Sequence, residues 1–139
     1  MTSTYDNLLA GAASPGLFEW RGDPERDLVG DAIAAGWAAW PLDTSAVVSR
    51  QGFYDEVRSA WGLPPWFGDN LDALFDALGE MTAAGRTLVV WDGSSALAEA
   101  DPELASSVLS VLRDAIDAAD SFSVVLRQGP LVSGSDGLL

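Results

Sequence analysis

The stretch that decides how this chain folds is Leu63-Pro64-Pro65-Trp66-Phe67-Gly68-Asp69-Asn70-Leu71-Asp72-Ala73-Leu74-Phe75-Asp76-Ala77-Leu78. Two prolines and a glycine bracket two large aromatics, so the backbone is stiffened and then turned before Asp69 or Asn70 caps a new helix. Trp66 and Phe67 therefore sit at a bend. Within the helix Leu71, Leu74, Phe75 and Leu78 recur at i, i+3, i+4 and i+7, one apolar stripe for a core. Asp69, Asp72, Asp76 and Glu80 line the opposite face.

Acids stacked at that spacing repel one another by roughly 0.2–0.5 kcal/mol per pair, and no Lys or Arg within the helix relieves them. For Asp69 and Asp72 the dipole at the helix start is reason enough. Asp76 and Glu80 lie past the first turn and gain nothing from it, so a cationic partner outside the chain is the more economical explanation. Trp66 stands between two readings, core packing and interface, whereas Phe67 and Phe75 are assigned mainly to the core.

On either side of this segment, short apolar runs alternate with amphipathic ones, the pattern of an α/β domain. Strands are expected at Leu17 to Trp20, Ala38 to Leu42, Leu88 to Trp91 and Ser123 to Leu126, giving a small, mainly parallel sheet of three or four strands with packed helices. Pro41 lacks an amide donor and pushes its strand to an edge. Asp23-Pro24-Glu25 and Asp101-Pro102-Glu103 each read as a capped helix start, and Gly36 and Gly62 as stops. The helix after Asp101 directs Leu104, Val108, Val111, Leu112, Ala115 and Ile116 inward, with Glu103, Asp114 and Asp117 on its other side. Residues 1–14 and 129–139 lack periodicity and are expected as a loose arm and a loose tail around a single domain, 15–128.

Composition narrows the chemistry. The chain has 139 residues, enough for one core, and a formal net charge of -14. Such a surface repels phosphate backbones and anionic membranes, and attracts a basic protein. All seven cations are arginines, and His, Cys and Lys are absent. A Ser-His-Asp triad, a thiol nucleophile, a lysine Schiff base and a Cys/His zinc site are therefore excluded. Neither a cofactor, a metal nor a catalytic residue is expected. No apolar run is long enough to span a bilayer, and the absence of cysteine favours a reducing compartment, so a cytoplasmic location is expected.

The ordered pattern Leu63-Pro64, Trp66-Phe67, Gly68 to Leu74 and Asp76-Ala77-Leu78 resembles the barstar family of ribonuclease inhibitors. The likeness continues through Leu88 to Trp91, Ser107 to Ala115 and Val124 to Leu126, and so covers roughly residues 40–126. It implies a small parallel sheet with packed helices, and inhibition by inserting acids and an aromatic into a basic active site. By that resemblance Asp76 occupies the site where substrate phosphate binds, Asp72 is a second charged contact and Asp114 an acid supplied by a later helix. Trp66 replaces a contacting tyrosine, Gly68 permits the turn, and Phe75 stands where the family has a tryptophan. Phe67, Asp69 and Glu80 complete the expected contact set.

Two departures stand out. Glu80 and Met81 replace a Gly-Trp pair, and the unit at residues 15–36 adds a strand and helix. The implied partner is a basic ribonuclease, bound one to one by a monomer, or a nuclease toxin domain for which this chain is the immunity protein. A non-inhibitory interaction domain is a further reading. A carboxylate hydrolase using Asp72 with Asp76 or Asp114 is the least favoured, because adjacent helical turns place acids on a convex surface.

Overall fold

The computed structural model describes residues 4–127 and 136–139. The chain runs α1 (Thr4–Leu9), β1 (Leu17–Glu19), α2 (Leu28–Ala34), β2 (Ala38–Asp43), α3 (Arg50–Trp61), α4 (Leu71–Thr82), β3 (Thr87–Asp92), α5 (Ser94–Ala100), α6 (Pro102–Ala118), β4 (Phe122–Arg127) and β5 (Gly137–Leu138). All the strand pairs are parallel, in the order β2-β3-β4-β1-β5. Four strands lie where the apolar runs place them. β5 is an addition that no sequence pattern announced, two residues long and paired with Phe18 and Glu19.

Helices cover the sheet on both faces, which is why β3 and β4 are continuous apolar runs. Val89, Trp91, Val124, Leu126, Leu17 and Leu42 join Phe53, Val57, Trp61, Leu74, Leu78, Leu104, Val108 and Leu112 in the larger core, under α3 to α6. The alternate strand residues Leu88, Val90, Val125 and Phe18 join Tyr5, Leu8, Leu28, Ala32 and Trp37 under α1 and α2. One face therefore carries four helices, and the other carries the helices of the N-terminal unit.

That second core corrects the expected loose arm. Residues 4–9 form a helix whose Tyr5 is fully buried, its hydroxyl donating to the Leu28 carbonyl at 2.6 Å. The C-terminal end is likewise tied down, as Leu139 N donates to Glu19 O and Asp136 N to Leu17 O. Residues 129–135 of the expected tail lie outside the described residues. Asp23-Pro24-Glu25 makes a turn, with Glu25 N donating to Asp23 Oδ1, and the helix starts only at Leu28. Asp27 caps it by accepting from Gly30 N. Two caps compete within five residues, and the intervening Arg26 settles between them: its guanidinium lies over the rings of Tyr5 and Trp20 and bonds Asp6 and Asp31.

Asp101 and Pro102 begin α6 as expected, with the Asp101 carboxylate accepting from Leu104 N. Gly62 ends α3 in the left-handed region at φ 61°, where glycine carries no Cβ penalty. β2 is an edge strand. Ala38 N and Thr44 N donate to Arg86 O and Asp92 O of the β3 side, so Ala39, Pro41 and Asp43 direct their backbone groups outward. Pro41 has no amide, and its carbonyl accepts from Trp61 Nε1 at 2.8 Å.

Candidate functional site

The loop from Gly62 to Asn70 is held by its own backbone. Leu63 N donates to Arg58 O, Phe67 N to Pro64 O and Asn70 N to Gly68 O. Asn70 then caps α4, its side chain accepting from Ala73 N at 2.8 Å. Gly68 matters through space, not dihedral freedom: its φ is not positive, and a Cβ there would come within 3.1 Å of Asn70 Nδ2.

This loop presents Trp66 outward, with 83% of its surface exposed, which resolves its two readings in favour of an accessible position. Phe67 is half-buried, packed against the larger core beneath the Arg58 guanidinium. Asp69 turns toward α3, where it accepts from Arg58 and from Gln51 Nε2.

On α4 the buried positions are Leu74, Ala77, Leu78 and Thr82. The inward stripe is thus centred on Leu74 and Leu78, leaving Leu71 half-buried and Phe75 38% exposed. Phe75 is therefore not a core residue. α4 and α6 pack side by side, and Phe75 lies in the cleft they leave. That cleft is an open groove of about 520 Å³ lined by Leu71, Asp72, Phe75 and Asp76 from α4 and by Val111 and Asp114 from α6. Three acids from two helices thus surround an apolar floor. None of the three makes an ion pair or a side-chain hydrogen bond with the described residues.

Beyond Phe75 lies an uncharged recess of about 330 Å³ between Gly79, Thr82 and Ala83 on one side and Ala115, Ala118 and Ala119 on the other. Glu80 is exposed on α4 but lines neither the groove nor the recess. The structure therefore brings Asp72, Phe75, Asp76 and Asp114 together, sets Trp66 on the loop that leads into α4, and leaves Glu80 outside. Asp69 it assigns to an internal ion pair. Among the described residues no three carboxylates are grouped so as to hold a metal ion.

Three participants were not singled out by sequence. Leu71 and Val111 read only as core residues, and Arg58 has no local feature linking it to Asp69 across the intervening loop. On α3, Tyr54 is buried and its hydroxyl has no hydrogen-bond partner among the described residues. Burial pushes its phenol above the ordinary value, with nearby Arg50 opposing the shift and Asp69 reinforcing it.

No curated protein matches the chain. Among solved structures, a chain from the structure described as Drosophila ORC bound to DNA is similar, with a TM-score of 0.55 at 13% identity, over 90% of this chain and 36% of that one. That likeness is of fold alone, and this chain spans about a third of the length of the larger one. No helix among the described residues is long and apolar enough to cross a membrane. The family model described as Barstar (barnase inhibitor) matches residues 37–128, well over half of the chain. The match begins at the N-terminal edge of β2 and takes in the Trp66 loop and both walls of the acidic groove, and by it the chain belongs to the barstar family.

Proposed function

We propose that this chain is an inhibitor that binds a basic ribonuclease and closes its active site with the acidic groove and the Trp66 loop. The observation that carries the reading is the convergence of Asp72, Asp76 and Asp114 around the floor of Leu71, Phe75 and Val111, with no cation paired to them among the described residues. A nuclease active site holds arginines and lysines where substrate phosphate sits, and carboxylates at these positions replace the phosphate. Asp76 stands between Asp72 and Asp114 in role, since it shares a helix face with the first and the groove with the second. Trp66 supplies an exposed aromatic for the partner's rim. The chain's net charge of -14 accelerates encounter with a cationic protein at low salt.

The test mixes the purified protein with small basic microbial ribonucleases and with nucleases encoded near it. One-to-one inhibition that weakens with salt is expected. Asp76→Ala leaves the nuclease's cations buried and unpaired, so affinity should fall by about 3–5 kcal/mol, on the order of a hundred- to a thousandfold or more. Full nuclease activity throughout, or inhibition indifferent to Asp76, defeats the reading. Inhibition of a neighbouring toxin nuclease but of no secreted ribonuclease would make the chain an immunity protein acting through the same groove.

A further inference from the structure

We infer that Arg58, on the helix before the site, is the positioning residue that sets the Trp66 loop and the start of α4 in their binding arrangement. The inference rests on the proposed use of that loop and groove. Arg58 is the point at which three loop constraints meet. Its guanidinium pairs with Asp69, the residue next to the α4 cap, and with Asp55 one turn earlier on α3 at 3.1 Å. The same guanidinium lies 6.0 Å from the centre of the Phe67 ring, beside Trp66. Its backbone carbonyl accepts from Leu63 N, where the loop leaves Gly62. Gln51 bridges Asp55 and Asp69 from the other side, at 2.9 Å to each.

The consequence for the acids is specific. Asp69 is engaged internally by Arg58, whereas Asp72 and Asp76, on the helix whose cap Asp69 adjoins, have no ion-pair partner among the described residues. One arginine therefore divides the acidic face into an anchoring carboxylate and contacting ones. Because the Arg58 guanidinium contacts Asp55, Asp69 and Phe67 on α3 and the loop, its loss should free the loop without unfolding the sheet.

The experiment compares wild type with Arg58→Met, Arg58→Lys, Asp69→Asn and the double variant Arg58→Met/Asp69→Asn. Amide hydrogen exchange reads the loop directly, without any partner. Protection at Phe67 and Asn70 is expected to fall about tenfold in Arg58→Met, while amides of β3 and β4 keep theirs. Arg58→Lys, which keeps the charge but not the planar fork, should restore part of it. Dissociation from a ribonuclease that the wild type inhibits should quicken about tenfold, with association little changed. The double variant should fall short of the sum of the two single ones, because both lose the shared Arg58–Asp69 contact.

Unchanged loop protection in Arg58→Met overturns the inference even if inhibition by the wild type is confirmed. So does an additive double variant in which Asp69→Asn slows association, since Asp69 would then be meeting the partner itself. A loosened loop combined with wild-type dissociation would show that the loop is not used in binding. That outcome strikes at the Trp66 part of the functional reading and leaves the groove acids to be tested through Asp76.

Discussion

The acids around the α1–α2 layer and those of the α4–α6 groove are placed under opposite conditions. In the first region Arg26 bonds both Asp6 and Asp31 while stacking on Tyr5 and Trp20. Arg127 holds Asp92 through two bonds, at 2.5 and 2.9 Å, and donates to the Arg26 carbonyl at 2.7 Å. In the second region Asp72, Asp76 and Asp114 have no cationic partner among the described residues. Arg21 likewise pairs with Glu19 inside the N-terminal unit, and Arg113 ties Asp136 of the C-terminal end to α6. A carboxylate with an internal partner holds the fold together. One without a partner burdens the free protein and contributes only when something else brings the charge.

That contrast can be broken most forcefully at Arg127. Both side chains of its pair with Asp92 are largely shielded from water, so Arg127→Ala should lower the unfolding free energy by about 3 kcal/mol. Urea denaturation measures this, and inhibition per folded molecule should stay as in wild type. An unchanged midpoint would show that the arginine links carry no stability.

A smaller effect is expected at Tyr5→Phe, which strands the Leu28 carbonyl at a cost of about 1–2 kcal/mol. The variant also reads pH. Burial pushes the Tyr5 phenol above its ordinary value, with Asp31 adding to the shift and Arg26 opposing it. Above about pH 10 the unfolded chain therefore loses a proton that the folded one retains, and stability declines as pH rises. Tyr5→Phe should make that decline shallower, with Tyr54, shifted the same way, sustaining the remainder. Denaturation midpoints on either side of about pH 10 decide it; equal slopes would remove Tyr5 as the cause.

The smallest stability change is expected at Asp76→Asn, and its sign sharpens the comparison. Relief of the repulsion between Asp72 and Asp76, one helical turn apart, should stabilise the isolated protein by roughly 0.2–0.5 kcal/mol. The same substitution should weaken nuclease binding. A variant that is both less stable and fully inhibitory would place Asp76 with the acids of the other region.

The legible parts of the fold were those written in local pattern. β3 and β4 stand out as apolar runs, and Asn70, Asp101 and Gly62 act where capping chemistry puts them. α1 was not legible, because its buried Tyr5, Leu8 and Leu9 are too few to show a period and become a face only against Leu28 and Trp37. Phe75 was misplaced for a related reason. The stripe of α4 fits two centrings, on Leu71 and Phe75 or on Leu74 and Leu78, and only the packing of α6 selects the second. Periodicity also placed Asp72, Asp76 and Asp114 on outer faces, but whether two outer faces meet is a property of helix packing. For Asp114 the family resemblance carried information that spacing could not.

At the far edge of the sheet, Pro41 and Trp61 have an effect on association between copies. An incoming strand would find no amide at Pro41, and the carbonyl there already engaged by an indole, so its ladder would be interrupted in the middle of β2. Backbone pairing is thereby closed as a route to oligomers along this edge. Together with the net charge of -14, which sets copies of the chain against one another, this leaves recognition to side chains on the helices.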